Sequence, residues 1–128
     1  MSISKDLINS FIKITSKAAI AAYKYVGMKD KILADKAAVD TMRNELNTLD
    51  IDGKIVIGEG ELDEAPMLYI GEKLGTGKGL PIDIAVDPVE GTNFVANNLP
   101  GGLSVIAFAD RNNLFNAPET YMNKIAIN

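Results

Sequence analysis

Ile82-Asp83-Ile84-Ala85-Val86-Asp87-Pro88-Val89-Glu90-Gly91-Thr92 runs from an apolar pattern straight into two carboxylates and a hydroxyl. A short apolar run closed by turn residues reads as a buried strand over 82–86. Pro88 cannot donate to a sheet ladder, and Gly91 opens backbone angles closed to other residues, so the chain is expected to turn sharply there. A turn that aims Asp87, Glu90 and Thr92 into one space, with the Val89 carbonyl directed inward, suits a divalent cation. Hard ions such as Mg2+ and Mn2+ take carboxylate and carbonyl oxygens. Read alone, these residues fit an ordinary strand-ending turn with solvated acids equally well.

Upstream the pattern repeats. Gly58-Glu59-Gly60-Glu61-Leu62-Asp63-Glu64 follows a second apolar strand pattern, Lys54-Ile55-Val56-Ile57, and sets four carboxylates within six residues. Packed together without a cation such acids repel, and some hold their protons at neutral pH. Open sheets commonly place ligands beyond the carboxyl ends of their strands, where both acidic segments fall. An acidic surface loop is the competing reading.

Composition narrows the chemistry. The 128 residues fit one domain, and 47% hydrophobic content is that of a globular chain. With 13 basic and 17 acidic residues the formal charge is -4, so no basic patch recommends nucleic acid. Cysteine and histidine are both absent. That removes Cys/His zinc sites, Ser-His-Asp triads, thiol nucleophiles and disulfides, and leaves carboxylates, hydroxyls and lysines. Lack of cysteine accords with a cytoplasmic setting. No apolar stretch is long enough to span a membrane, and the mixed-charge start is unlike a secretory signal.

Along the chain, Leu7, Phe11, Ile14, Ala18, Ala22 and Tyr25 recur at helical spacing, predicting a helix over 4–26 capped by Ser4 and stopped at Gly27. A second helix is predicted over 32–49, with Ala38, Met42, Leu46 and Leu49 on one face and Asp35 in its first turn, where the helix dipole favours a carboxylate. Residues 50–53 read as a turn, and 67–70 as a short apolar run of unassigned state. Gly75-Thr76-Gly77-Lys78-Gly79 invites a phosphate-loop reading, but Lys78 is followed by Gly79 rather than Ser or Thr and no helix start follows, so it reads as a connector. Residues 103–109 predict a strand buried on both faces, and 124–127 the start of another. Two helices followed by strands predict a layered α/β or α+β domain with an acidic site at one sheet edge.

Ile57-Gly58-Glu59-Gly60-Glu61-Leu62-Asp63-Glu64-Ala65-Pro66-Met67-Leu68-Tyr69-Ile70-Gly71-Glu72-Lys73 resembles the signature of class II fructose-1,6-bisphosphatases. So do residues 83–92, Ala34-Asp35 with residues 37–43, and residues 116–125. The block at 87–92 by itself would indicate only the wider lithium-sensitive phosphatase superfamily. The similarity runs from about Lys29 to the last residue. It implies the layered α/β sugar-phosphatase fold, two helices and a mixed sheet. Residues 1–128 would be the N-terminal portion of that domain, with a further acidic ligand and much of the substrate pocket in a missing remainder. A sheet ended partway would leave edges and apolar faces uncovered.

The resemblance further implies hydrolysis of fructose 1,6-bisphosphate to fructose 6-phosphate and phosphate, a gluconeogenic step. Asp35, Glu59, Asp87 and Glu90, with the Val89 carbonyl, would hold Mn2+ or Mg2+. Asp63 and Thr92 would handle the attacking water, and Glu90, Gly91, Thr92 and Tyr121 would touch substrate. For Asp35 the residues alone favour the helix-dipole role, and for Tyr121 a half-buried aromatic; the resemblance moves both to the site. Lys36 departs from the family, which usually has a small or uncharged residue there. Self-association is open, nucleic acid and membrane are not expected partners, and the expected location is cytoplasmic. Two alternatives stand beside this reading: a related phosphatase of sugar bisphosphates such as sedoheptulose bisphosphate, and a metal-binding fragment without turnover.

Overall fold

The computed structural model describes residues 3–59, 67–115 and 123–128. The sequence-based expectations for Asp63 and Tyr121 lie outside the described residues. Helix α1 (Lys5–Tyr23) starts where predicted, the Ser4 Oγ accepting from the Leu7 N–H at 3.2 Å. Phe11, Ile14, Ala18 and Ala22 form its buried stripe. It ends three residues short of the predicted 26, because 24–26 already turn through bonds from the Tyr25 and Val26 N–H groups to Ala22 and Tyr23. Helix α2 (Lys31–Asn47) is capped by Asp30, whose Oδ1 accepts from the Leu33 N–H at 3.0 Å. Asp30 therefore fills the helix-start role expected of Asp35, which lies beyond the first turn.

The sheet has four strands, β1 (Ile51–Ile57), β2 (Lys73–Leu74), β3 (Leu80–Glu90) and β4 (Leu103–Asp110), in the order β2-β1-β3-β4. β1 and β3 are parallel, from Ile51 opposite Leu80 to Ile55 opposite Ile84. The other two pairings are antiparallel, which gives the expected mixed α/β sheet. Both long helices bury their apolar stripes against one face. Phe11, Ile14, Met42 and Leu46 meet Ile55, Ile82, Ile84 and Val86 in a single core. There Phe11 stacks on Phe108 with ring centroids 3.9 Å apart. No helix among the described residues is long and apolar enough to cross a membrane.

Several boundaries differ from the sequence reading. The turn predicted at 50–53 is mostly the opening of β1. Gly53 serves close approach rather than a turn, since a Cβ there would sit 3.0 Å from the Leu74 carbonyl oxygen and from Ile84 Cδ1. β3 does not stop at Val86 but runs to Glu90. Asp87 pairs with Val105 and Glu90 with Leu103, so three steps on β3 match two on β4, and the bulge accommodates Pro88 without a ladder donor. The sharp turn falls at Gly91, with φ 81°. A short helix, α3 (Thr92–Ala96), follows unannounced by any periodicity. β4 is not buried on both faces: it is an edge strand whose Leu103 and Val105 are 61% and 45% exposed. The strand expected at 124–127 is absent, with Ile125 89% exposed. Residues 67–70 form a loop that plants Leu68 in the core.

Removing the Phe11 ring takes away both a core filler and the stack on Phe108. Phe11→Ala should lower unfolding free energy by about 3–5 kcal/mol, the range for a buried aromatic truncation. Urea denaturation read by circular dichroism measures it, and a loss below about 1 kcal/mol would show the core does not hinge on this contact.

Candidate active site

Parallel pairing sends β1 and β3 in the same direction, so Glu59, two residues past β1, and Asp87 to Glu90, at the end of β3, reach the same sheet edge. α2 and α3 are drawn to that edge by the connector between the first two helices. The Gly27 N–H donates to the Val95 carbonyl at 3.0 Å and the Lys29 N–H to the Ala96 carbonyl at 2.9 Å. Lys29 adopts a left-handed φ of 62°, and its Nζ reaches Asn97 Oδ1 at 2.9 Å. The start of α2, which carries Asp35, is thereby tied to the helix that Thr92 opens.

Asp87 is half-buried, and its Oδ1 is shut off from solvent without a hydrogen-bond partner. Burial first, then a shared hydrogen bond with Glu90, then the charges of Glu90 and Asp35, push its carboxyl up to about 7; the Val89 N–H, donating to it, offsets part of this. Two carboxyls can share a hydrogen bond only if one keeps its proton. Asp35 is also half-buried, with its Oδ1 orphaned, and burial raises it from its ordinary value. Glu59 Oε2 is likewise closed off from solvent, and the Glu59 N–H donates to the Leu68 carbonyl at 2.9 Å. Gly91, in a left-handed conformation, occupies the cap position before Thr92, which is half-buried.

The structure thus gathers Asp35, Asp87 and Glu90 into one interacting group, with Glu59 at the neighbouring strand end and Thr92 two residues past Glu90. Val89 turns its side chain into the core. Asp63 and Tyr121 are not among the described residues. Hard oxygen donors, two of them buried and without partners, fit a divalent cation, which would relieve the mutual repulsion. Among the described residues no three acids gather tightly enough to close a cage. Mg2+ does not demand one, since it keeps several waters and is commonly held by one or two carboxylates together with substrate phosphates. A cleft of about 390 Å³ between α1 and residues 98–104 backs onto Pro88 and Val89, but none of the four acids lines it.

The sequence reading gave no role to Arg43 and Glu72. Their ion pair, 2.7 Å from Nε to Oε1, is part-buried and braces the loop beside Glu59. Both lie inside the blocks that carry the family resemblance, which was the available signal.

Residues 5–128 match the family described as bacterial fructose-1,6-bisphosphatase, glpX-encoded. The chain belongs to that family. The fructose-1,6-bisphosphatase 1 class 2 of Escherichia coli K12 is 53% identical over 123 residues, covering 96% of this chain and 37% of that protein. A Prochlorococcus marinus protein named D-fructose 1,6-bisphosphatase class 2/sedoheptulose 1,7-bisphosphatase is 52% identical over the same shares. The chain therefore spans 37% of the length of these relatives. A solved structure described as an extragenic suppressor from Pyrococcus furiosus matches with TM-score 0.56 and 17% identity, over 84% of this chain and 41% of that one, which supports the fold.

Metal-free stability should fall with rising pH. Asp87 keeps its proton in the folded bisphosphatase-family chain up to about 7, against an ordinary value of 3.8. Between those limits the folded state binds more protons than the unfolded one, so stability is present at the acidic end and is lost as pH climbs through the window. In EDTA the melting temperature should be lower at about pH 8 than at about pH 5, and Asp87→Asn should flatten that slope. An unchanged slope in Asp87→Asn would mean the group titrates normally.

Proposed function

We propose that this chain carries the metal-binding half of a sugar-bisphosphate phosphatase site acting on fructose 1,6-bisphosphate. The observation that supports it is the pair of buried, unpartnered oxygens on Asp35 and Asp87, beside Glu90, at the edge where β1 and β3 end. Asp35, Glu59, Asp87 and Glu90, with the Val89 carbonyl, are the residues that would hold Mn2+ or Mg2+. When bound, such ions neutralise the phosphoryl oxygens and make water a competent nucleophile near neutral pH. Thr92, fixed at the start of α3, orients the attacking water through its hydroxyl, and Asp63 accepts its proton. Glu90, the Gly91 backbone, Thr92 and Tyr121 meet the sugar phosphate. The net reaction is phosphate-ester hydrolysis, with one water consumed and fructose 6-phosphate and phosphate released.

The Prochlorococcus relative's name adds sedoheptulose 1,7-bisphosphate as a substrate of the same chemistry. Such a phosphatase would serve gluconeogenesis in the cytoplasm, with self-association open. A second reading is a chain that binds metal without turnover. It is favoured by the cleft beside Val89, which none of the four acids lines.

Two measurements separate these readings. Millimolar Mn2+ should raise the melting temperature over EDTA through binding to the folded state alone, and Asp87→Asn should abolish the rise. Equal melting temperatures with and without Mn2+ would sink both readings. Phosphate release from fructose 1,6-bisphosphate then distinguishes enzyme from metal binder.

Thr92 is the sharper test. In the chain fused to the remainder of its Escherichia coli relative, Thr92→Val should lower kcat by about a hundredfold or more, the scale for groups that position water and move its proton. Mn2+ affinity should hardly change, and Thr92→Ser should retain much of the rate. Normal turnover in Thr92→Val would reduce Thr92 to a turn residue.

A further inference from the structure

Glu59 departs from the end of β1 into a loop, yet its backbone is anchored. Its N–H donates to the Leu68 carbonyl, and Leu68 is fully buried. Gly58 makes this approach feasible, because a Cβ there would overlap the same Leu68 oxygen and lie 2.8 Å from Ile55 Cγ2. The Leu68 segment is in turn held from two sides. On the sheet side, the Gly71 N–H donates to the Ile55 carbonyl at 2.8 Å and the Ile55 N–H to the Glu72 carbonyl at 2.9 Å. On the helix side stands Arg43 of α2.

Arg43 donates Nε to Glu72 Oε1 at 2.7 Å and Nη2 to Glu72 Oε2 at 3.2 Å, a bidentate fork, and Nη2 also reaches the Met67 carbonyl. Glu72 is 8% exposed, and its Oε2 also accepts from the Tyr69 N–H at 3.3 Å. One ion pair therefore fixes both ends of the Met67–Glu72 loop. A pair this buried is weak as a source of stability, because desolvation offsets the attraction. Its geometric specificity is high, because a planar fork fixes distance and angle together.

We propose that Arg43 and Glu72 are positioning residues for the metal site: the bracket sets Glu59 against Asp35 and Asp87. Arg43 and Asp35 share α2, so the bracket ties a donor-bearing helix to the loop that holds the donor at the end of β1. The proposal rests on the metal reading above and assigns no contact between the bracket and the cation.

The test is Mn2+ titration of the 128-residue chain, read by loss of the free-ion electron paramagnetic resonance signal, with melting in EDTA as the stability control. Arg43→Lys keeps the charge and loses the fork. It should weaken Mn2+ binding about tenfold or more, the usual scale for groups that orient a metal ligand from behind. The Arg43→Met/Glu72→Leu double variant should remain folded in EDTA but melt somewhat below wild type, because the apolar pair replaces the ion pair at little cost while the Met67 carbonyl and the Tyr69 N–H lose their side-chain partners. It should still bind Mn2+ weakly, which a purely stabilising role would not produce. Adding Glu59→Gln to that double variant should cost less affinity than Glu59→Gln does in wild type, because both changes act through one carboxylate. Wild-type affinity in the double variant, or fully additive losses, would overturn the proposal. Should Arg43→Lys unfold, the double variant decides alone. Unchanged Mn2+ binding in Glu59→Gln and Asp87→Asn would instead mark failure of the metal reading itself.

Discussion

Parallel pairing of β1 with β3 is the constraint from which the site follows. Two strands can run parallel only if the chain between them crosses back, and here residues 58–79 make that return. The consequence is directional. Both strands end at one edge, so the acids that follow β1 and close β3 reach the same edge although β2 and most of β3 lie between Glu59 and Asp87 in the sequence. An antiparallel pairing would have sent them to opposite ends. The helices reinforce the arrangement by covering one face and delivering Asp35 to the same edge, while α3 folds Thr92 back beside it.

Much of this was legible. The 3.6-residue stripe of α1 and the apolar runs of β1 and β3 name their own states, because each buries one continuous surface in the core. The acids at the strand ends stood out in the sequence because each set follows an apolar run. Four things were not. Pro88 and Gly91 together read as the end of a strand, yet a bulge let β3 continue for four residues past Val86. Gly53 read as a turn because glycine serves tight bends and close approaches alike, and only the neighbours Leu74 and Ile84 decide between them. β4 read as fully buried because its apolar run is continuous, whereas a strand's second face is buried only if something covers it. The Arg43–Glu72 bracket was invisible for a different cause: its partners are 29 residues apart, and nothing local couples them.

The uncovered face of β4 and the unpaired edge beyond it carry the opposite message from the acidic edge. Leu103 and Val105 project apolar surface with no described partner, on a strand with one neighbour. Exposed apolar edges of this kind are association surfaces. Among the described residues they leave the core between helices and sheet intact, because that core lies on the other face.

β3 carries two acids in opposite electrostatic settings. Asp83 and Asp87 sit four residues apart on the same strand and, by the two-residue period, on the same face. Asp83 is 2% exposed and faces a cation: Arg111 Nε lies 3.2 Å from its Oδ1 as an ion pair without hydrogen-bond geometry, and the Asn112 N–H donates to its Oδ2 at 2.6 Å. Arg111 also bridges to Asp52 at 3.3 Å, tying β3 to β1 through a cation the chain itself supplies. Asp87 receives no such cation. Burial, and then its neighbours Glu90 and Asp35, push its carboxyl up instead of holding it ionised. A strand that sets one buried aspartate against an arginine and a backbone donor, yet surrounds the next with other acids, spends folding stability at that second position. Under the metal reading proposed above, a positive charge from outside the polypeptide would offset that cost.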